Sequence, residues 1–230
     1  MKKPVFANKV LSFYKSLQPD FRLPKGFRVM NPYSNAETMA VTELFYRNYF
    51  NDTAKRRLIF GINPGRFGGG ITGIPFTDPV QLLNECGINH SFPPKAELSS
   101  QFIYKIIQAF GGAEKFYRTF FLTAVCPLGF LNGHLNANYY DSPQLILSTR
   151  SFIIQTIREQ VKLGCYTDYC FCLGFGKNMD YLEKLNMELK LFKKIIPLPH
   201  PRWIMQYRRK SIDQFIVQYL EAFSMIVTHR

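Results

Sequence analysis

Four short apolar runs constrain the fold more than any other feature of this sequence. They are RLIFGINP (57–64), TFFLTAVCP (119–127), YCFCLGFG (169–176) and KKIIPLPHP (193–201). Each is bounded by turn-formers or charges and is too short for a core helix, so each reads as a buried strand. Helical patterns separate them: SSQFIYKIIQAF (99–110), SPQLILSTRSFIIQTIREQVKLG (142–164), KNMDYLEKLNMELK (177–190) and SIDQFIVQYLEAFSMIV (211–227). Strands that alternate with helices predict an α/β fold, a three-layer α/β/α sandwich around a four-stranded, mainly parallel sheet. In open sheets of this kind ligands bind beyond the carboxyl ends of the strands. Function is therefore expected just after residues 62, 125, 175 and 197.

No repeat, low-complexity tract or Pro/Ser linker divides the chain, so residues 1–230 are expected to form one domain. The opening MKKPVFANKVLSFYKSLQPD superficially resembles a secretion signal, but Asn8, Lys9 and Lys15 interrupt its apolar stretch. It reads as an amphipathic first helix of a cytoplasmic protein. No apolar run approaches the roughly 20 residues that cross a bilayer, so no membrane partner is expected.

Lys and Arg total 29 against 16 for Asp and Glu, a formal charge of +13. That excess concentrates polyanions near the surface and makes nucleic acid the leading partner, although basic proteins that bind no DNA are common. Cys86, Cys126, Cys165, Cys170 and Cys172 are odd in number and mostly sit inside apolar runs. This argues against a disulfide framework. The trio at 165, 170 and 172 invites a metal-cluster reading. Cys170 and Cys172 lie in an expected buried strand, however, where a free thiol acts as a small hydrophobe, and no metal or cofactor is expected.

Two strand ends are chemically distinctive. The first run leads into GINPGRFGGGITGIPF (61–76), with six glycines in sixteen residues. Such a density lets backbone approach another molecule closely. The spacing fits neither a dinucleotide fingerprint nor a phosphate-binding P-loop. Asn63 at the strand end, held by Pro64, with Phe67 and Phe76 in the same loop, suggests a pocket with a stacking wall. A flexible glycine turn is the bland alternative.

The fourth run ends in PLPHPRW (197–203), followed by Tyr207, Arg208, Arg209 and Lys210. Pro199 and Pro201 restrict the chain around His200. Trp203 is the only Trp, and mixed aromatic and cationic groups suit a nucleic-acid backbone and an unstacked base. The alternative is a solvated start to the last helix.

Together these segments resemble the uracil-DNA glycosylase superfamily, most closely its single-strand-selective monofunctional (SMUG) branch. That branch carries G-M-N-P-G-P-F-G, then T-G-V-P-F, and later H-P-S-P-R. Here GINPGRFG stands at 61–68, TGIPF at 72–76 and HPR at 200–202, and CPLGF at 126–130 resembles the branch's CPLLF. The four pieces fall in the family's order, and divergence elsewhere suggests a bacterial side branch.

The resemblance implies excision of uracil or a related damaged base from DNA by hydrolysis of the N-glycosidic bond. It implies that Asn63 orients the attacking water and that His200 stabilises charge on the leaving base. Phe76 would stack on that base, and Ile62, Gly65 and Phe67 would line its pocket. Gly68 and Gly69 would approach the nucleotide and its phosphates. Arg202 would enter the duplex, and Trp203 could share that role. The cationic character of Arg208, Arg209 and Lys210, apart from the resemblance, suits them to hold DNA.

No lysine falls inside the matched motifs, which favours plain hydrolysis over a Schiff-base lyase. Two positions depart from the family. Ala124 stands where an Asn normally reads the base edge, with Asn132, Asn136 or Asn138 as possible substitutes. The His-Pro loop also lacks a Ser-Pro, which shortens the wedge. Two other readings remain open, an inactive damaged-DNA-binding module and a small-nucleotide hydrolase. A monomer is expected.

Overall fold

The computed structural model describes residues 3–227. In chain order the elements are α1 (Phe6–Ser16), β1 (Phe27–Met30), α2 (Ala36–Tyr49), β2 (Arg57–Gly61), α3 (Gly69–Thr72) and α4 (Pro79–Asn84). Next come α5 (Leu98–Phe110), α6 (Ala113–Thr119), β3 (Phe120–Ala124), β4 (Gly129–Asn132), β5 (Leu135–Ala137) and α7 (Pro143–Lys162). The chain continues with β6 (Tyr169–Leu173), α8 (Lys177–Leu189), β7 (Lys194–Leu198), α9 (Pro201–Tyr207) and α10 (Ile212–Val227).

The four expected strands form one sheet in the order β3-β2-β6-β7, every pairing parallel. Each stops short of its apolar run, because the motif residues leave the sheet. Adjacent side chains in a strand point to opposite faces, and the Phe pair at the start of β3 shows what covers each face. Phe120 meets Phe223 of α10 and Phe110 of α5, whereas Phe121 meets Phe6 of α1. Two residues on from Phe121, the Thr123 hydroxyl donates to Gln160 of α7. Helices thus cover both faces, as the three-layer expectation requires. One hydrophobic cluster runs from Phe6 to Phe223.

Cys170 and Cys172 are fully buried in β6, and burial pushes the Cys172 thiol up to about 12. No group of three or more His, Cys, Asp or Glu that could hold a metal ion occurs among the described residues.

A second sheet was not expected from the sequence. It is antiparallel, in the order β1-β4-β5, and its β4–β5 hairpin turns through Gly133 at φ 57. The first sheet's third motif, CPLGF, feeds directly into β4. Helix α2 was likewise not anticipated. The Asn35 side chain caps it by accepting from the Thr38 N–H, and Val41, Phe45 and Tyr46 form its buried face.

Candidate active site

A cavity of about 700 Å³ opens at the carboxyl ends of the parallel strands. All four ends contribute: Ile62 and Asn63 after β2, Thr123 and Ala124 from β3, Gly174 to Asn178 after β6, and Pro199 and His200 after β7. All four strand ends at which the sheet topology leads one to expect a ligand thus border a single cavity.

Asn63 is fixed by the second sheet. Its Nδ2 donates to the Ala137 carbonyl at 3.1 Å, at the end of β5, and its Oδ1 accepts the Tyr139 N–H at 3.0 Å. Tyr139 is fully buried, and its hydroxyl donates to Asn178 Oδ1 at 2.8 Å. Asn178 in turn reaches Gly61, Leu173 and Cys172. Neither Tyr139 nor Asn178 stands out in the sequence, since each acts through partners far along the chain.

His200 caps α9, with Pro201 as the first helical residue. Its Nδ1 accepts the Arg202 N–H at 3.2 Å. Burial, reinforced by the Arg202 charge, lowers its pKa to about 4. The imidazole is therefore neutral at physiological pH, and with Nδ1 accepting, the proton resides on Nε2. A neutral ring with Nε2–H is a fixed dipole rather than a proton donor in excess.

Phe76 lies 6.3 Å from the His200 ring, centroid to centroid. Its backbone adopts φ 55, a left-handed conformation that costs a non-glycine residue about 1–2 kcal/mol. The turn holds it there: the Thr72 hydroxyl donates to the Thr77 carbonyl at 2.6 Å, and Thr77 N–H donates to Ile74 at 3.1 Å. Strain of this kind tends to collect at functional sites. The ring lies against Gly61, where an added Cβ would sit 2.5 Å from Phe76 Cε2. A glycine at the end of β2 is thus what admits the aromatic floor.

Ile62, Gly65, Gly69, Phe76, Ala124, Arg202 and Trp203 all line the cavity with Asn63 and His200. Phe67 and Gly68 do not. Phe67 is 40% exposed beneath the Arg66 guanidinium, 4.4 Å from its ring centroid. Arg66 itself donates to the His134 carbonyl, which turns this part of the loop outward.

Asn136 and Asn138 line the cavity and Asn132 does not. Asn136 Oδ1 accepts the Arg66 N–H at 3.0 Å, and Asn138 binds Asp141. Outside the cavity, Arg208 lies over Trp203, and Arg209 and Lys210 are exposed on the following turn. Phe175 and Tyr207, both exposed, join Trp203 at the mouth. Glu97 also lines the wall and was not anticipated.

Among the described residues, no helix is long and apolar enough to cross a membrane. No curated protein matches the chain. A solved structure, the crystal structure of wild-type Pedobacter heparinus SMUG2, shares 49% identity over 98% of this chain and 100% of its own, with a TM-score of 0.95. The family model described as the uracil DNA glycosylase superfamily matches residues 47–224. With that match across the cavity and all four parallel strands, the chain belongs to the uracil-DNA glycosylase superfamily.

Proposed function

We propose that this glycosylase works through Asn63 and His200, on a base held over Phe76. The observation that carries the reading is that an amide and a neutral imidazole, far apart in sequence, line one cavity beside a strained aromatic ring. The base leaves the helix first, at a cost of a few kcal/mol that is least for mispaired or single-stranded nucleotides.

Cleavage of the C1′–N bond leaves positive charge on the sugar and sends the electron pair into the base. The Nε2–H of His200 meets the base oxygen on which that charge develops. A neutral ring suits this role, because it need not give up its proton for the base to depart as an anion. Asn63 orients water toward C1′. An amide suffices once the sugar approaches an oxocarbenium ion, since the electrophile then needs little nucleophilic push. The water's proton goes to solvent or to the departed base. An abasic site remains.

Arg202 and Trp203 are proposed to fill the vacated space in the duplex. Exposed Arg208, Arg209 and Lys210 supply sequence-independent phosphate contacts. The whole chain is taken as one domain and a monomer, acting in the bacterial cytoplasm at the nucleoid. Its DNA substrate, its free cysteines and its likeness to a Pedobacter structure support that location.

The test is single-turnover release of uracil from oligonucleotides by the wild type and by Asn63→Ala. Equal rates would remove Asn63 from the mechanism. Ala124 favours a second reading, in which the fold binds damaged DNA without cutting it. Failure to release uracil, xanthine, hypoxanthine or hydroxymethyluracil would support that reading.

A further inference from the structure

Glu97 is the single acidic residue among the described residues that line the cavity, and the chemistry above makes no use of it. It stands at the N-cap of α5, yet its side chain makes no capping bond. Asp78 holds its backbone instead, accepting the Glu97 N–H on Oδ2 at 2.7 Å. That leaves the carboxyl turned against the glycine loop. A Cβ at Gly65 would lie 2.6 Å from Glu97 Oε1, and one at Gly68 would overlap Oε2. Two glycines thus make room for this carboxyl.

Several other polar groups of the wall are committed to protein partners. Asn63 is bonded at both ends of its amide, and Asn178 donates to Gly61, Cys172 and Leu173 while accepting from Tyr139. The Ala124 carbonyl accepts from Gln160, and the Thr123 hydroxyl donates to the same side chain. The Glu97 carboxyl makes no hydrogen bond or ion pair with any described residue. Ala124, which lines the same cavity at the position where the resemblance implies a base-reading Asn, presents only a methyl group.

We propose that Glu97 determines base specificity, reading the lactam edge of the extruded base as a carboxylic acid. Its carbonyl accepts the ring N–H and its O–H donates to the adjacent base oxygen. That is the donor–acceptor pair a carboxamide would offer. An ionised carboxylate offers acceptors alone and repels the base oxygen. The inference rests on the glycosylase reading of this cavity.

The surroundings favour the acid form. Burial raises the Glu97 pKa to about 7, and the Asp78 carboxylate at the start of α4 pushes the same way. Arg202 of α9 opposes them. In the glycine loop Arg66 faces away, bound to the His134 carbonyl, and His200 is neutral. Phosphates of bound DNA add negative charge and hold the proton more firmly.

The experiment compares wild type, Glu97→Gln and Glu97→Ala in single-turnover release of uracil and of N3-methyluracil, which lacks the ring N–H. Uracil release by the wild type at all shows that the protein acts as a glycosylase, whatever the variants do. Glu97→Ala is expected to slow uracil release about 10-fold or more and to shrink the preference over N3-methyluracil by a similar factor. Glu97→Gln keeps both within about threefold of the wild type and flattens the decline in wild-type rate expected as pH rises through about 7. Two results overturn the proposal. One is an equal loss in Glu97→Gln and Glu97→Ala, which marks Glu97 as the acceptor of the water's proton. The other is a change in both variants that leaves the uracil preference intact, which marks it as structural.

Discussion

The carboxamide oxygen of Asn63 accepts the main-chain N–H of Tyr139 at 3.0 Å, while its nitrogen donates to the Ala137 carbonyl at 3.1 Å. A donor and an acceptor two residues apart therefore fix which way the amide points. Asn63→Asp replaces the donor with a carboxylate oxygen facing that carbonyl. Its expected cost is about 1–3 kcal/mol of stability, from one lost bond and one unfavourable oxygen pair. Asn63→Ala is expected to slow base release about 100-fold with little change in DNA affinity. Urea unfolding and single-turnover cleavage measure the two effects separately.

His200 carries a second expectation. Removing its Nε2–H by His200→Ala should cost about 2.7–4 kcal/mol of transition-state stabilisation, roughly 100- to 1,000-fold in rate. Because its pKa is lowered to about 4, the imidazole should impose no inflection on the rate from neutral pH down to that value. A rate that falls with a midpoint near the ordinary imidazole value of ~6.5 in wild type but not in the variant would contradict the neutral ring.

Stability should respond to pH through the same two buried groups, with opposite signs. His200 titrates lower in the folded chain than in the unfolded one, so its contribution is lost as pH falls from about 6.5 toward 4. Glu97 titrates higher when folded, so its contribution is lost as pH rises from 4.5 through about 7. Glu97→Gln should therefore stabilise the protein by about 1–2 kcal/mol at alkaline pH and by much less in acid. Thermal denaturation across pH checks both signs.

Gly61→Ala places a methyl group 2.5 Å from Phe76 Cε2, and the ring must move. Overpacking of this kind costs about 1–3 kcal/mol. The displaced ring would no longer stack squarely on the base, so kcat/KM should fall more than stability alone explains. Steady-state kinetics measured well below the melting temperature separate the two.

Arg209→Ala and Lys210→Ala should weaken binding to damaged and undamaged DNA alike. Each lost phosphate contact reduces the slope of log affinity against log salt by roughly 1. A selective loss on damaged DNA would instead assign these side chains to lesion recognition. Fluorescence anisotropy over a salt series distinguishes the two.

The parallel sheet was legible because its strands are buried on both faces, and such strands write continuous apolar runs into a sequence. Asn63, Phe76 and His200 were legible because each stands where such a run breaks into turn residues. The antiparallel sheet was not. FRVM, GFLN and LNA are three or four residues long, too short for any period to register. Glu97 was hidden for a different reason. It reads as an ordinary acid before a helix, and only the fold brings it against Gly65 and Gly68. Phe67 misled because a loop aromatic beside glycines suggests a stacking wall, whereas its ring pairs with the neighbouring Arg66.

The small sheet has a consequence for how this enzyme can be trimmed. Strand β1 lies before residue 47, outside the segment that the family model spans, yet it pairs along the whole of β4. Its last residue, Met30, packs against Gly70 and Gly129. That hairpin is the support from which Ala137 and Tyr139 grip the Asn63 amide. Excising the N-terminal segment would expose a bare sheet edge and loosen the grip, leaving every family motif present and the amide free to swing.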